Sequence, residues 1–349
     1  MTIMSAINKS HIITAHKLLA KHVTRTPCVI SKPISRIVST HTKNDVEVFL
    51  KHENQQKSGS FKYRGALNKL LSLDDDALKR GLVTYSTGNH GLAMLLATQE
   101  LSRAKCFNIP LQIVAKKSSA LDKLQQLTSR GAKLVFEDTQ KMEACKQTAS
   151  LLATQSNSTL VHPTEQEIIV GQGSVCLEII EEVPDLDAVI IPCGGGSLLA
   201  AASVIFQGTK THVLAAEPEQ GGPQLAESLK RNQRLSQESR RPTIADGLST
   251  SIGENSWRVI TGKGSVKGSC VVSESQMVRA LKLYYSVYPD VVEPSGIVAL
   301  AGALFHSSSL RCLSMKDSAI KVAVVLTGGN ISMSTINHII TSDTQTKVV

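Results

Sequence analysis

The chain contains one short segment in which a lysine stands where its amine could act as a nucleophile. This segment reads SGSFKYRGA at residues 58–66, follows a strand-like run and opens a predicted helix. Ser60 is the predicted N-cap, so backbone N–H groups and the positive end of the helix dipole meet there. A positive environment disfavours the charge on Lys62, and the neutral amine is the form that makes a Schiff base. The simpler interpretation is a solvated lysine on the first turn of a helix, and the spacing alone leaves both open.

Three further turns carry glycine or polar residues directly after predicted strands. They read STGNHG at 86–91, GGGS at 194–197 and LTGGN at 326–330. Backbone N–H groups in such turns can hold a carboxylate or a phosphate, and ligands of open α/β sheets bind at the carboxyl ends of strands. The GGGS turn is neither a P-loop nor a dinucleotide-binding fingerprint, because the residues and spacing of both are missing. Each turn alone could be a plain connection, but together with Lys62 they indicate a phosphate-bearing cofactor joined to this lysine.

The elements that position these turns alternate between strand and helix along nearly the whole chain. Runs rich in Val, Ile and Leu predict strands at Val46–Leu50, Leu82–Tyr85, Leu111–Ala115, Lys133–Phe136, Ala188–Ile191, His212–Ala216 and Lys321–Leu326. The patterns between them predict helices, including one continuous helix at Ile169–Glu182. The stretches 219–250 and 307–317 are predicted to be connections with little regular structure. Such alternation is typical of α/β folds, in which parallel sheets carry helices on both faces.

Length and composition narrow the functions that the chain can have. Its 349 residues suit two lobes, and 42% hydrophobic against 19% charged residues is the balance of a folded chain. No uncharged apolar run of about 18 residues is present, so a membrane span is not expected. Aromatic residues, at 3%, are too few for nucleic-acid stacking. The formal charge of +9 is interpreted as a dispersed surface property.

Cysteine usage and the amino terminus bear on the location of the protein. The seven cysteines are scattered and include no C-x-x-C pair, so zinc and a disulfide framework are poorly supported and a reducing compartment fits best. No acidic residue precedes Asp45, a bias found in organelle transit peptides. Residues Ile7–Leu19 nevertheless read as an amphipathic helix of the fold, so a cytoplasmic location is expected.

Taken together, SGSFKYRGA, STGNHG, GGGS and LTGGN resemble the motifs of fold-type II pyridoxal-phosphate enzymes, in the branch of serine/threonine dehydratases and serine racemases. The resemblance extends from about Arg25 to Asn330. It implies an α/β fold similar to the tryptophan synthase β chain, with two open twisted parallel-sheet domains. The small domain is expected at 81–165, nested within a large cofactor-binding domain formed by 1–80 and 166–349, and closing over the substrate. A homodimer with a small amino-acid substrate is expected, with neither nucleic acid nor membrane as a partner.

The resemblance also implies roles for individual residues toward pyridoxal 5'-phosphate (PLP). Lys62 is expected to form the Schiff base with the cofactor and to act as the α-proton base. Phe61 is expected near the cofactor ring, Asn89 at its phenolic oxygen and Thr327 at its pyridine nitrogen. The phosphate is expected in a cradle formed by Gly194, Gly195, Gly196 and Ser197. The substrate carboxylate is expected on the turn that carries Ser86, Thr87, Asn89 and His90.

The expected activity follows from the threonine implied at the pyridine nitrogen. Its neutral hydroxyl cannot stabilise a protonated ring as an aspartate would, which makes the cofactor a weaker electron sink. Loss of a β-hydroxyl as the α-proton leaves avoids a long-lived carbanion, so deamination of L-serine or L-threonine to a 2-oxo acid and ammonia is expected. The alternatives are a serine racemase with dehydratase side activity and a dehydratase for another 3-hydroxy amino acid such as 3-hydroxyaspartate. Racemases of this branch carry a catalytic serine where this chain has Thr87, whose methyl group restricts χ1.

The sequence leaves a divalent cation such as Mg2+ open. The family's cation site uses a glutamate after a strand, matched by Glu217, and an acidic residue six positions on, where Pro223 has no side-chain ligand. Two further alternatives are a non-catalytic binding protein and a cysteine synthase. The retention of Lys62 and Asn89 argues against the first, and cysteine synthases carry a threonine in place of His90.

Overall fold

The computed structural model describes residues 7–86, 88–119, 121–139, 142–221, 224–236, 242–263, 266–306, 308–311, 313 and 318–342. Thr87 and Pro223, to which the sequence assigns a catalytic and a cation-site position, lie outside the described residues. The strands in this part of the chain are β1 (Cys28–Ile30), β2 (Val46–His52), β3 (Leu82–Tyr85), β4 (Leu111–Lys116), β5 (Lys133–Glu137), β6 (Thr159–Val161), β7 (Ala188–Pro192), β8 (His212–Pro218), β9 (Val266–Val272) and β10 (Ile320–Leu326).

The described strands form two sheets. The larger sheet has six strands in the order β1-β2-β10-β7-β8-β9, and the smaller sheet has four in the order β5-β4-β3-β6. Apart from the antiparallel pair of β1 and β2, every pairing is parallel. Because parallel strands end at the same edge of a sheet, the turns that follow β2, β7 and β10 lie together, next to one another in the sheet order.

The described α-helices lie between the strands. They are α1 (Lys9–Leu19), α2 (Lys32–Thr42), α3 (Lys62–Leu71), α4 (Asp75–Arg80), α5 (Asn89–Lys105), α6 (Leu121–Thr128), α7 (Met142–Gln155), α8 (Gln166–Gln172), α9 (Ser174–Glu182), α10 (Ser197–Ile205), α11 (Gln224–Arg231), α12 (Glu254–Lys263), α13 (Glu274–Val287), α14 (Pro294–Phe305), α15 (Ser308–Arg311) and α16 (Met333–Ser342).

Both faces of the larger sheet are buried. In β10, Val322, Val324 and Leu326 pack into the cluster formed with α2, α13 and α14. Ala323 and Val325, which alternate with them, pack into the cluster formed with α1, α9 and α10. This burial on both faces explains why the central strands read as continuous apolar runs, and it confirms the α/β fold class.

The structure confirms the seven predicted strands and corrects the sequence analysis elsewhere. Strands β1, β6 and β9 and helices α2, α4 and α12 were not predicted. The continuous helix expected at Ile169–Glu182 is wrong, because α8 ends at Gln172 and α9 starts at Ser174. A Cβ atom on the intervening Gly173 would lie 2.6 Å from Ile12, so α1 packs closely at this junction. The stretches expected to lack regular structure contain α11 and α15.

All strands of the smaller sheet come from residues 82–161, whereas those of the larger sheet come from the chain before and after them. This arrangement agrees with a small domain inserted into a large one, although the bounds at 81 and 165 stay a prediction. Among the described residues, none of the helices combines the length and the apolar character needed to cross a bilayer.

Candidate active site

The first turn of α3 places Lys62 beside the carboxyl end of β10. The backbone N–H of Phe61 donates to the carbonyl of Thr327 at 3.2 Å, and Ser60 forms an isolated bridge with Gly328. Ser60 was predicted as the N-cap, and this is wrong: Phe61 occupies the cap position, without a side-chain cap. The helix start is instead fixed by its backbone contacts with the end of β10.

The amine of Lys62 lies against a hydroxyl and the face of an aromatic ring. Its Nζ atom is 3.2 Å from the hydroxyl of Ser197 and 4.7 Å from the centroid of the Phe61 ring. Burial lowers the pKa of Lys62 to about 8. About a tenth of this amine is therefore uncharged at pH 7, far more than for an ordinary lysine, and the uncharged amine is the state that attacks a carbonyl carbon.

The three glycines after β7 form a cradle at the amino end of α10. A Cβ atom on Gly194 would lie 2.8 Å from the backbone of Leu248, and Gly196 has a φ of 79°, in the left-handed region. Within the described part of the chain, no carbonyl or side chain accepts a hydrogen bond from the backbone N–H groups of residues 194–197. Free amides at a helix amino terminus, with no side chain in the way, fit a phosphate group.

The turn after β3 brings a second set of backbone donors from the smaller sheet. The hydroxyl of Ser86 accepts a hydrogen bond from the N–H of Gly88 at 3.2 Å, and α5 begins at Asn89. The predicted carboxylate-binding turn therefore lies at the amino terminus of α5, where an anion is favoured by the helix dipole.

The side chain of His90 points toward β3. The Thr84 hydroxyl donates to the Val161 carbonyl at 2.8 Å and lies 3.1 Å from Nε2 of His90, so the histidine must donate through Nε2. Burial, together with the charge of Lys62, holds the pKa of His90 well below its usual value. A neutral ring whose described N–H is already used cannot donate to a carboxylate, so the donor that His90 can offer there is its backbone N–H.

Asn89 is held at both ends of its amide. Its nitrogen donates to the Glu293 carboxylate, and its oxygen accepts from Asn330 at 2.7 Å. Burial raises the pKa of Glu293, and the charges of Lys123 and Asp246 act on it in opposite directions. One N–H of the Asn89 amide is left for a ligand oxygen.

Sequence reasoning missed Glu293 and Asn330, and it missed the ion pair that Lys123 of α6 forms with Asp246. Glu293 and Asn330 both stand within recognisable turns, EPSG and LTGGN. The motif letters alone do not show that these side chains face Asn89.

Thr327 lies where β10 ends and is almost completely buried. Its hydroxyl is 3.5 Å from the carbonyl of Ser295, the second residue of α14, which makes at most a weak hydrogen bond. The hydroxyl is therefore free enough to reorient toward a ligand nitrogen.

Glu217, at the end of β8, is engaged by neutral donors. Its carboxylate accepts from the backbone N–H groups of Leu225 and Ala226 at 2.9 and 2.8 Å and from the hydroxyl of Ser269 at 2.7 Å. Among the described residues, no group of three His, Cys, Asp or Glu side chains could hold a metal ion. Among the described residues, Glu217 therefore caps the amino terminus of α11, and Pro223, at the second predicted position of the cation site, lies outside them.

The sequence-predicted residues that the structure describes thus converge from both sheets, with Glu217 placed apart in the cap of α11. The donor set suits PLP: a lysine amine of lowered pKa for its aldehyde, a glycine cradle for its phosphate and an oriented amide for its ring oxygen. The fold and this site define a fold-type II pyridoxal-phosphate enzyme.

The comparisons with known proteins agree with this class. The chain belongs to the pyridoxal-phosphate dependent enzyme family, which it matches over residues 19–328. It is 33% identical to a serine racemase of Oryza sativa subsp. indica over 322 residues, 91% of this chain and 89% of that protein. It is 32% identical to an L-threonine ammonia-lyase of Thermotoga maritima, over 96% of this chain and 78% of that protein. The maize serine racemase structure aligns with a TM-score of 0.83 at 29% identity, over 97% of this chain and 98% of that one.

Proposed function

We propose that this protein deaminates L-serine or L-threonine to a 2-oxo acid and ammonia with PLP as its cofactor. The observation that carries the proposal is the buried amine of Lys62, with its pKa lowered to about 8, between the glycine cradle and the carboxylate-binding turn. When bound, PLP supplies an electron sink for the bond pair released at the substrate α-carbon.

The residues of the site divide into two groups by what they hold. The cradle of Gly194, Gly195, Gly196 and Ser197 would bind the phosphate, with Phe61, Asn89 and Thr327 around the ring. Ser86, Thr87, Asn89 and the backbone N–H of His90 would bind the substrate carboxylate. Lys62 would then take the α-proton, because its amine is uncharged in a useful fraction at neutral pH.

The neutral hydroxyl of Thr327 supports elimination as the reaction. A hydroxyl at the pyridine nitrogen gives less stabilisation to negative charge than an acid that keeps the ring protonated. A substrate whose β-hydroxyl can leave as water relieves that charge at once. Hydrolysis of the remaining unsaturated amine yields the 2-oxo acid and ammonia.

Serine racemisation is the second candidate, and the relatives favour it. Serine racemases of Oryza sativa and maize are among the most similar proteins found. Racemisation requires a second acid/base on the opposite face of the substrate, which in this chain would be Thr87. Its hydroxyl can serve, but its branched Cβ restricts the rotamers that reach the α-carbon.

A substrate panel tests the proposal. Purified holoenzyme is incubated with L-serine, D-serine, L-threonine and 3-hydroxyaspartate, and 2-oxo acid, ammonia and serine enantiomers are measured. We expect 2-oxo acid to form from L-serine or L-threonine faster than D-serine forms from L-serine. Lys62→Ala should abolish both reactions. Lys79→Ala, a change at an exposed lysine of α4, is the matched control. Faster formation of D-serine would show that the protein is a racemase. Release of 2-oxo acid from 3-hydroxyaspartate alone would show that this amino acid is the substrate.

Assembly and location are proposed on the same basis. The described cysteines, six in number, are all free, which supports a reducing compartment such as the cytoplasm. A homodimer whose small domain, residues 81–165, closes over the substrate is expected from the family. Sedimentation of the holoenzyme tests the dimer, and protease protection of this segment by substrate tests closure.

A further inference from the structure

The hydroxyl of Ser197 lies 3.2 Å from Nζ of Lys62. We propose that Ser197 is a positioning residue for catalysis: its hydroxyl holds the free amine of Lys62 and favours the ammonium that forms when this amine takes the substrate proton. The inference rests on the proposed function, in which Lys62 is the α-proton base. It goes further because it gives the side chain of Ser197 a role separate from the cradle.

The cradle itself does not need this hydroxyl. A phosphate at the amino end of α10 is held by backbone N–H groups, which any residue at position 197 would supply. Among the described residues, the hydrogen bond that the Ser197 hydroxyl makes is to Lys62 and not to the backbone of α10. It is 2% exposed, so solvent does not explain its polarity. The contact that the structure describes for this buried hydroxyl is the one with Lys62.

Lys62 needs such a contact because its side chain is long and flexible. Once a substrate amine replaces it on the cofactor, the freed amine can adopt many rotamers, and only a few place Nζ at the α-carbon. A fixed oxygen acceptor at 3.2 Å restricts Nζ to the space beside the cradle. Productive orientations then form more often during each turnover.

The same contact affects the charge on Lys62. Burial disfavours the ammonium, whereas the Ser197 oxygen and the face of the Phe61 ring both favour it. The charge of Lys62 also acts on His90, which is buried, neutral and hydrogen bonded to Thr84. Removing the hydroxyl therefore leaves Lys62 easier to deprotonate and less well placed.

The test compares Ser197→Ala with Ser203→Ala, which removes another buried hydroxyl from α10 at a position bonded to the carbonyl of Ala200. Ser197→Gly also removes the hydroxyl and controls for packing of the Cβ atom. For each variant, kcat and KM are measured on the holoenzyme. Competitive acetylation of the apoenzyme across pH, followed by mass spectrometry of the peptide containing Lys62, gives the pH midpoint of this amine. PLP affinity and thermal melting are recorded alongside.

For Ser197→Ala and Ser197→Gly we expect kcat to fall about tenfold, the equivalent of one hydrogen bond to a charged group. KM should stay within about twofold, because the hydroxyl does not touch the carboxylate turn. The acetylation midpoint of Lys62 should move to lower pH. Ser203→Ala should match the wild type in all of these.

Two outcomes would overturn the inference. An unchanged acetylation midpoint and kcat in a folded Ser197→Ala protein would show that the Ser197 hydroxyl neither positions Lys62 nor affects its charge. Weaker PLP binding with an unchanged midpoint would place the hydroxyl on the phosphate, not on Lys62. If the wild type deaminates no substrate but the midpoint still shifts, the proposed function fails while the contact between Ser197 and Lys62 stands.

Discussion

Asn330 donates a hydrogen bond of 2.7 Å to the side-chain oxygen of Asn89, a residue 241 positions away in the chain. The nitrogen of Asn89 donates in turn to Glu293. The first turn of α5, which follows a strand of the smaller sheet, is thereby oriented by two residues that belong to the larger sheet and its helices. These two contacts fix the direction of the remaining N–H of the Asn89 amide.

Asn330→Ala should weaken PLP binding about tenfold, because Asn89 loses the partner that fixes its rotamer. Titration of the apoenzyme with PLP, followed by absorbance, measures this change. Asn337→Ala, at an exposed position of α16, is the matched control and should leave the affinity unchanged. Asn330 also donates to the carbonyl of Ser58, so thermal melting is measured to separate affinity from stability. Equal affinity in the two variants would contradict the role of the contact.

Lys62 should reduce the stability of the apoenzyme in a pH-dependent way. Its pKa is lowered from the ordinary 10.5 to about 8, so between these values the unfolded chain holds a proton that the folded chain has lost. Stability therefore rises with pH across this window, and the full cost of the buried ammonium is present below pH 8. Lys62→Met should raise the melting temperature of the apoenzyme at pH 7 by about 2 °C.

The rise in melting temperature caused by Lys62→Met should shrink toward zero as the pH approaches 10.5. Melting curves of apo Lys62→Met and wild type at several pH values measure it. Lys79→Met, which changes an exposed lysine, should show no such trend. A gain that stays constant with pH would mean that burial does not perturb the amine.

The sequence predicts the elements that carry strong apolar patterns. The fully buried strand β7 reads AVIIP, and its neighbour β10 reads IKVAVVL. The runs of apolar residues are enough to predict both strands. Strands β1 and β6 have three residues each, too few for a pattern to emerge. Helix α2 was missed although Ile34, Val38 and Thr42 are buried at helical spacing, because its serines, threonines and proline are typical of loops.

The site was predictable to the extent that its chemistry lies in the backbone. Glycine turns after strands imply anion binding wherever they occur in an α/β fold, and Lys62 stands in the one motif suited to a nucleophilic amine. The contacts between Asn89 and Glu293 and between Lys62 and Ser197 join residues 204 and 135 positions apart. Pairings of this kind depend on how the two sheets meet, which no local pattern encodes.

A buried ionic cluster behind α3 should be essential for folding. Arg64 donates to both oxygens of Glu53 and both oxygens of Glu178, and Lys51 donates to Glu178 at 2.7 Å. These four side chains are almost fully buried. Glu178→Gln leaves two buried cations facing a single carboxylate and should cost about 3–5 kcal/mol of unfolding free energy.

Urea unfolding of the holoenzyme measures this loss. Glu254→Gln removes an exposed helix partner of Arg258 and should cost less than about 0.5 kcal/mol. A similar loss in the two variants would show that the buried cluster contributes no more than a surface pair. Arg64 follows Lys62 by two residues in α3. The cluster therefore anchors the helix that carries the nucleophile.

Chelation should leave this protein unchanged, because the charge of Glu217 is already compensated. The amino terminus of α11 supplies two N–H donors and a positive dipole end to its carboxylate, and Ser269 supplies a hydroxyl. The holoenzyme treated with EDTA and the same protein supplied with Mg2+ should melt within about 1 °C of each other and release 2-oxo acid at equal rates. Glu217→Gln, by contrast, places an amide N–H against a backbone N–H and should destabilise the protein by about 1–3 kcal/mol. A rise in melting temperature with Mg2+ that disappears in Glu217→Gln would instead assign a cation to this carboxylate.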